Sequence, residues 1–304
     1  ADEDGYALLG MPRDILGADA APGRAIIDDH EAQIAVIGGT PSTKEQSTAV
    51  LRMAEAMLRR GTTPAPGIRS LPTEYTVEAL PATTSAGIAI GLSDLDLGPY
   101  GIEPVGTFIV AGTPGAGRSN AAAAIAQQTL RARPDTPAFY FGDRRSPLMD
   151  AVAWAGTAEA GSAAMAVLSA ADEAADRVAE GGAVPIVVLE GIGEFATSIV
   201  EMNLSALVKR AGRGEVFFVV LGELSEWSTN FGLLGEIKAA RRGVVMQPET
   251  LDGEVVLKTP FPRLVRGELP VGRGILAHRG KTVRIQFPLV GAPATVSAAP
   301  SAHG

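Results

Sequence analysis

The stretch Gly106-Thr-Phe-Ile-Val-Ala-Gly112-Thr-Pro-Gly-Ala-Gly117-Arg118-Ser119 decides the fold, because it joins an apolar run to a glycine-rich turn. An Ala-rich segment follows at once, so we predict a buried strand, a tight loop and a helix. Glycines allow backbone N–H groups to converge on a phosphate, and the N-terminus of the next helix adds partial positive charge. The stretch therefore predicts a phosphate-binding loop.

The loop fits the pattern G-x-x-x-x-G-K-[ST] in every defining position except one, where Arg118 replaces Lys. Arginine is longer, planar and forked, so we expect attraction for phosphate to survive better than transition-state geometry. Ser119 is placed to offer its hydroxyl to Mg²⁺. A glycine-rich turn without any ligand is the alternative. The predicted nucleotide-binding residues are Gly112, Thr113, Pro114, Gly115, Ala116, Gly117, Arg118, Ser119 and Asn120.

A second apolar run, 184–189, ends in Glu190 and Gly191. Glu190 stands where a magnesium-binding Asp is usual, so Ser119 and Glu190 are the predicted metal ligands. Gly191 stands where a water-positioning carboxylate is expected, and we therefore predict no catalytic residue in this chain. Loss of a positioned base typically costs on the order of 10²–10⁴ in rate. Glu194, one helical turn further, either substitutes in part or caps the next helix.

The flanking sequence alternates continuous apolar runs with Ala-rich segments. Strands are predicted at 106–111, 137–141, 184–189 and 216–221, and helices at 119–131 and 161–180. Uninterrupted apolar strands separated by helices are typical of a sheet that is buried on both faces. We predict an α/β fold with a largely parallel sheet covered by helices on both sides.

Composition excludes several classes of protein. The 304 residues include no Cys and three His, which argues against disulfide scaffolds, thiol catalysis and a histidine metal cluster. The net charge of -8 disfavours a surface that grips nucleic acid. One basic cluster, Lys209, Arg210 and Arg213, ends a predicted helix. It either acts as an arginine finger or complements the negative helix C-terminus.

Two copies of a short pattern lie far apart in the chain. Pro12-Arg13 precedes Gly23-Arg24 and a strand-like run, and Pro262-Arg263 precedes Gly272-Arg273 and another such run. The shared order of features favours an internal repeat, in which the chain starts with the end of one module and closes with the end of the next.

Residues that begin and end a helix, between the two copies of the pattern, set the predicted domain boundaries. Ser42-Thr-Lys-Glu45 is a capping-box pattern that predicts a helix through Leu58, and Gly61 predicts its end. The predicted organisation has four parts: the tail of a preceding module at 1–40, a helical linker at 41–67, the main domain at 68–290 and a low-complexity mobile tail at 291–304.

These motifs together resemble the FtsK/SpoIIIE ATPase family. The resemblance rests on the loop 112–119, the run 184–190 and Leu269-Pro-Val-Gly-Arg-Gly274. Ile68-Arg-Ser-Leu-Pro72 and 88–92 look similar to segments in the tandem ATPase domains of EccC/EssC-type motors of type VII secretion. The resemblance implies a RecA-like P-loop NTPase domain, the last and degenerate one of such a motor, at the inner face of the cell membrane. Such a degenerate domain is expected to bind ATP and Mg²⁺ weakly or not at all.

The same resemblance implies the partners, which are neighbouring ATPase modules and the signal peptide of a secreted substrate. The acidic net charge predicts no direct binding to DNA. In this interpretation the domain serves substrate docking or regulation. Two alternatives stay open: an active, FtsK-like, ATP-driven DNA translocase, and a scaffold whose loop binds no nucleotide at all.

Overall fold

The computed structural model describes residues 23–28, 30–63, 65, 69–265 and 267–291. The chain divides into two compact units at residue 68. Pro12-Arg13 and the predicted tail beyond Gly291 lie outside the described residues. The assignment of 1–40 to a preceding module therefore stays a prediction.

The first unit contains a β-hairpin and a helix. Strands β1 (Arg24–Ile27) and β2 (His30–Gln33) pair in antiparallel fashion. Helix α1 (Thr43–Arg59) confirms the helix that the capping-box pattern predicts, because Ser42 is its N-cap and accepts from the Glu45 N–H at 3.5 Å. The Glu45 carboxylate accepts a hydrogen bond from the Thr40 hydroxyl.

The second unit opens with a short-stranded region and the predicted strand–loop–helix. Its first elements are β3 (Thr83–Thr84), β4 (Gly87–Ser93), β5 (Pro99–Ile102), β6 (Gly106–Gly112), α2 (Arg118–Ala132), β7 (Ala138–Phe141), β8 (Gly156–Ala158), α3 (Ala164–Asp176) and β9 (Ile186–Glu190). They continue with α4 (Ile192–Phe195), α5 (Glu201–Gly212), β10 (Phe217–Glu223), a 3-10 helix (Leu224–Ser228), α6 (Gly232–Lys238), β11 (Arg242–Met246), α7 (Asp252–Leu257), β12 (Arg273–His278) and β13 (Lys281–Gln286).

One mixed sheet of 11 strands organises this unit, in the order β3-β4-β13-β12-β11-β6-β10-β9-β7-β8, with β5 also on β4. The strands from β11 to β8 pair in parallel, which confirms the predicted parallel sheet around the loop. The strands β12, β13, β3, β4 and β5 form an antiparallel half that the sequence did not predict.

Helices cover both faces of the sheet, as predicted, because alternate residues of each parallel strand point to opposite sides. Phe108 and Val110 of β6 pack in one buried cluster with the Ala-rich face of α2. Ile109 and Ala111 pack in a second cluster with apolar residues of α3, α5, α6 and α7. Within the described residues, no helix has the length and apolar character that crossing a bilayer requires.

Candidate functional site

The loop between β6 and α2 has a backbone shaped by two glycines. Gly115 and Gly117 have φ of +80° and +98°, in the left-handed region that favours glycine. A Cβ on Gly117 would lie 3.3 Å from the Gly272 nitrogen, whereas one on Gly115 would meet nothing within 4 Å. Helix α2 begins at the next residue, Arg118, so its free N–H groups face the loop. The backbone therefore has the form of a phosphate-binding loop.

The segment Leu269-Pro-Val-Gly-Arg-Gly274 packs directly on this loop. The Gly272 N–H donates to the Ala116 carbonyl at 3.1 Å. Arg273 donates to the carbonyls of Leu71 and Pro72 at 3.1 and 2.8 Å. The sequence motifs from three distant parts of the chain thus meet at one place.

The Asn120 side chain holds the end of the described chain through two hydrogen bonds. Its amide donates to the Pro288 carbonyl at 2.7 Å, and its carbonyl oxygen accepts from the Val290 N–H at 3.0 Å. Asn120 is one of the predicted nucleotide-binding residues, and both polar atoms of its side chain have backbone partners.

The predicted metal ligands lie in direct contact with each other. The Ser119 hydroxyl donates to Glu190 Oε1 at 3.0 Å, and the Tyr140 hydroxyl donates to Glu190 Oε2 at 2.6 Å. Burial of Tyr140, reinforced by Glu190, raises the pKa of its phenol above the ordinary value. Both carboxylate oxygens of Glu190 are therefore engaged. Sequence reasoning placed Tyr140 in a predicted strand but missed its contact with Glu190, which it reaches from the neighbouring strand β7.

Arg118 also has a carboxylate partner, Glu223, which sequence reasoning missed. The two side chains form an ion pair, with Arg118 Nη2 3.2 Å from Glu223 Oε1. Glu223 is the last residue of β10 and lies opposite Gly112 in the strand register. Glu223 follows the apolar run 216–221 much as Glu190 follows the run 184–189. This similarity is the sequence feature from which Glu223 could have been predicted as a site residue.

Gly191 brings no side chain to the site and has a φ of +72°. A Cβ there would meet nothing within 4 Å, so open space lies where a water-positioning carboxylate is expected. Any other residue at this φ is strained by about 1–2 kcal/mol. Glu194 does not fill the gap, because it lies in a separate cavity with Asp143 and Glu159.

A cleft of about 420 Å³ opens between these groups at the carboxyl edge of the parallel strands. It is lined by Arg118, Glu190, Gly191, Leu221, Gly222, Glu223 and Glu226. Glu226 accepts from the N–H groups of Gly193 at 3.0 Å and Glu223 at 2.5 Å. The lining thus carries three acidic side chains and one basic one.

The chemistry of this donor set fits magnesium and nucleotide only in part. Ser119 and Glu190 offer oxygen ligands, which Mg²⁺ prefers. In the described part of the chain, no group of three or more His, Cys, Asp or Glu could hold a metal ion by itself. A magnesium ion at Ser119 would therefore need water molecules or phosphate oxygens to complete its coordination.

The basic cluster at the end of α5 is neutralised within the unit. Arg210 forms ion pairs with Asp172, Asp176 and Glu215 at 2.8 to 2.9 Å. Arg213 binds Glu215 at 2.6 Å, and Lys209 lies 3.5 Å from Glu236. The geometry favours a structural role for this cluster over an arginine finger.

Comparison with known proteins finds the same fold in secretion ATPases. No family model matches the sequence, and no curated protein matches it. The cytoplasmic domain of the Thermomonospora curvata type VII secretion ATPase EccC matches with a TM-score of 0.65 at 21% identity, covering 91% of this chain and 36% of that one. A structure of ATPases 2 and 3 of the same EccC, in complex with a signal sequence peptide, matches with a TM-score of 0.66 at 20% identity, covering 95% and 57%.

EssC (ATPases 2 and 3) from Geobacillus thermodenitrificans matches with a TM-score of 0.60 at 21% identity, covering 96% of this chain and 59% of that one. The chain thus has the fold of the EccC and EssC ATPase domains, which confirms the RecA-like P-loop fold that the resemblance implied. It spans less than two thirds of the length of each of these structures.

Proposed function

We propose that this chain is an ATPase-type domain of a type VII secretion motor whose nucleotide site is degenerate and which serves substrate docking or regulation. One observation carries the proposal: the cation that would bind phosphate already pairs with a carboxylate. Arg118 Nη2 lies 3.2 Å from Glu223 Oε1. The fold shared with EccC and EssC supports the assignment to a secretion motor.

Electrostatics explain why nucleotide would bind weakly. The ion pair of Arg118 with Glu223 is partly open to solvent, with side chains 19% and 46% exposed. Solvent screening keeps the contribution of such a pair to about 1 kcal/mol, so separating it costs little. A carboxylate about 4 Å from a phosphate oxygen opposes binding by on the order of 4 kcal/mol at an effective dielectric constant of 20. The negative charge of Glu223 therefore weakens nucleotide binding more than its ion pair with Arg118 does.

If ATP and Mg²⁺ bind, the arrangement of the site indicates which residues would contact each of them. The loop backbone from Gly112 to Gly117 and the N-terminus of α2 would hold phosphate oxygens, with Arg118 beside them. Ser119 and Glu190 would hold the metal, which neutralises phosphate charge when bound. Hydrolysis would still lack a base, because Gly191 supplies no carboxylate and Glu226 is committed to backbone N–H groups.

The proposed partners are neighbouring ATPase modules and the signal segment of an exported protein. The support is that the EccC relative was solved in complex with a signal sequence peptide. Amphipathic signal segments bind grooves through apolar side chains at helical spacing. In this proposal the domain acts at the inner face of the cell membrane, as one part of a membrane-anchored motor.

A DNA translocase is the competing function, and the charges disfavour it. Neutralising several DNA phosphates requires free Lys and Arg on one face. The densest basic cluster, at Lys209 to Arg213, is bound to acidic side chains, and the whole chain carries a net charge of -8.

Two assays on the full chain test the proposal. Steady-state hydrolysis of ATP should stay far below about 1 s⁻¹, the low end of ordinary enzyme rates. In fluorescence anisotropy, labelled signal peptides of type VII substrates should bind near physiological salt while labelled duplex DNA does not. Micromolar, sequence-independent binding of DNA with no response to any peptide would move the chain to the translocase class.

A further inference from the structure

Lys238, the last residue of helix α6, holds a positive charge inside the protein. Its side chain is 2% exposed. The ammonium donates to the Trp227 carbonyl at 2.7 Å and to the Thr229 carbonyl at 3.2 Å. Both partners are neutral carbonyls, so neither compensates the charge as a carboxylate would.

A buried ammonium without a counter-ion costs free energy of folding. Burial of Lys238, reinforced by the nearby Lys258, lowers the pKa of its amine below the ordinary value. A methionine would fill nearly the same space without that cost. The cost of the charge is offset by the two carbonyls that it binds, which places the role of Lys238 at residues 227–229.

These carbonyls lie at the end of the 3-10 helix Leu224–Ser228, and the last carbonyls of a helix lack partners within it. Trp227 is fully buried, and its indole N–H has no hydrogen-bond partner among the described residues. Packing holds the ring, and Lys238 supplies hydrogen bonds to the backbone beside it. Lys238 therefore ties helix α6 to the end of the 3-10 helix.

The other end of the same 3-10 helix carries two acidic side chains of the cleft. Glu223 is its N-cap, and Glu226 completes a capping box by accepting from the Glu223 N–H at 2.5 Å. Glu223 Oε1 lies 3.2 Å from Arg118 Nη2. Glu226 Oε1 accepts from the Gly193 N–H at 3.0 Å. A shift of this short helix would move both acidic side chains away from these partners.

We infer that Lys238 is a positioning residue, whose ammonium fixes the 3-10 helix so that Glu223 stays on Arg118 and keeps its negative charge in the cleft. This inference rests on the proposed function, in which the charge of Glu223 weakens nucleotide binding. Lys238 does not line the cleft, so it acts on nucleotide through Glu223. Loss of the amine should therefore move that charge without altering the loop.

A second cation that binds carbonyls provides a matched control. Arg242 donates to the carbonyls of Glu103 and Val105, which precede β6. Arg242 begins β11, at the amino edge of the parallel strands, whereas Glu223 ends β10 at their carboxyl edge. Arg242→Met thus removes a cation from two carbonyls and leaves the contacts of the 3-10 helix in place.

Hydrogen exchange on the full chain without nucleotide gives the first test. In each variant, exchange of the Gly193 N–H is compared with that of the β6 amides, which report global unfolding. Relative to β6, Gly193 should exchange about tenfold faster in Lys238→Met than in Arg242→Met, because local opening of the 3-10 helix frees this N–H. Lys238→Gln keeps an N–H donor, should fall between the two, and replaces Lys238→Met if that variant does not fold. Equal ratios in the Lys238 and Arg242 variants would overturn the inference.

A double-mutant cycle gives the second test, read by the anisotropy of a fluorescent ATP analogue with Mg²⁺. The Lys238 variant should bind the analogue about threefold more tightly than the wild type, yet change affinity by less than about twofold when added to Glu223→Gln, because the charge is then absent. Equal effects in the two backgrounds would overturn the inference. If Glu223→Gln itself fails to tighten binding, the proposed function fails, and the Gly193 exchange still decides the role of Lys238.

Discussion

Two sides of the candidate site, which we call the loop wall and the acid wall, differ in what they offer a nucleotide. The loop wall, residues 112–120, presents a backbone shaped for phosphate, with left-handed glycines and the start of α2. The acid wall, made by Glu190, Gly191 and Glu223, binds the loop's cation and hydroxyl and leaves open space where a carboxylate is expected. One wall favours anions and the other opposes them.

The contrast shows that the backbone of a nucleotide-binding loop can be intact while side chains outside the loop determine whether nucleotide binds. Backbone form follows from glycine conformation and from the register of β6 with its neighbours, both of which also support the fold. The acid wall consists of side chains at strand ends, where a change costs the fold little. Recognising the loop motif therefore says little about turnover.

Substitution at Gly117 should have the largest effect, on the stability of the loop wall. Gly117→Ala places a Cβ 3.3 Å from the Gly272 nitrogen at a φ of +98°. Strain and contact together should cost about 2–3 kcal/mol, lowering Tm by about 4–12 °C. Gly115→Ala is the matched control, since it meets only the backbone strain and should lose about half as much. Equal losses in the two variants would refute the close approach of the loop to Gly272.

Removal of the Asn120 clamp should come next. Asn120→Ala leaves the Pro288 carbonyl and the Val290 N–H without their partner, and should cost about 2 kcal/mol by thermal unfolding. Nucleotide affinity should not change, because both polar atoms of this side chain face backbone. A drop in affinity without a drop in Tm would instead assign Asn120 to the nucleotide, as the sequence alone suggested.

The smallest effect is expected from the acid wall's tyrosine. Tyr140→Phe removes one hydrogen bond to Glu190 and should cost about 1 kcal/mol near pH 8. Because burial raises the pKa of Tyr140 in the folded state, its contribution is fully present below pH 10 and is lost as pH rises further. Urea unfolding between pH 8 and 11.5 should therefore show a shallower alkaline decline in Tyr140→Phe than in the wild type. Identical slopes would mean that this phenol titrates normally.

The sequence predicted the parts of the fold that depend on local order. The apolar run 106–111, the glycine turn and the Ala-rich segment define β6, the loop and α2 to within a residue at each end. The runs at 184–189 and 216–221 correspond to β9 and β10, with one end of each strand displaced by two residues. These strands are buried on both faces, so their composition alone identifies them.

The antiparallel half and the acid wall could not be predicted in the same way. Strand β5 is only four residues long, Pro99–Ile102, and β4 depends on pairing with β13 from the far end of the chain. Arg118 and Glu223 are 105 residues apart and meet only because β6 and β10 are neighbours in the sheet. The ion pair of Arg118 with Glu223, which weakens nucleotide binding at the proposed site, thus depends on the order of strands in the sheet.

The most direct test of this account is calorimetric titration of ATP with Mg²⁺ into the wild type and Glu223→Gln. The substitution removes one negative charge from the acid wall and frees Arg118 without altering the loop. Glu194→Gln is the matched control, because it removes the same charge from a separate cavity. The account predicts that Glu223→Gln binds ATP at least tenfold more tightly than the wild type, a gain of about 1.4 kcal/mol, while Glu194→Gln does not. Unchanged or weaker binding by Glu223→Gln would contradict it.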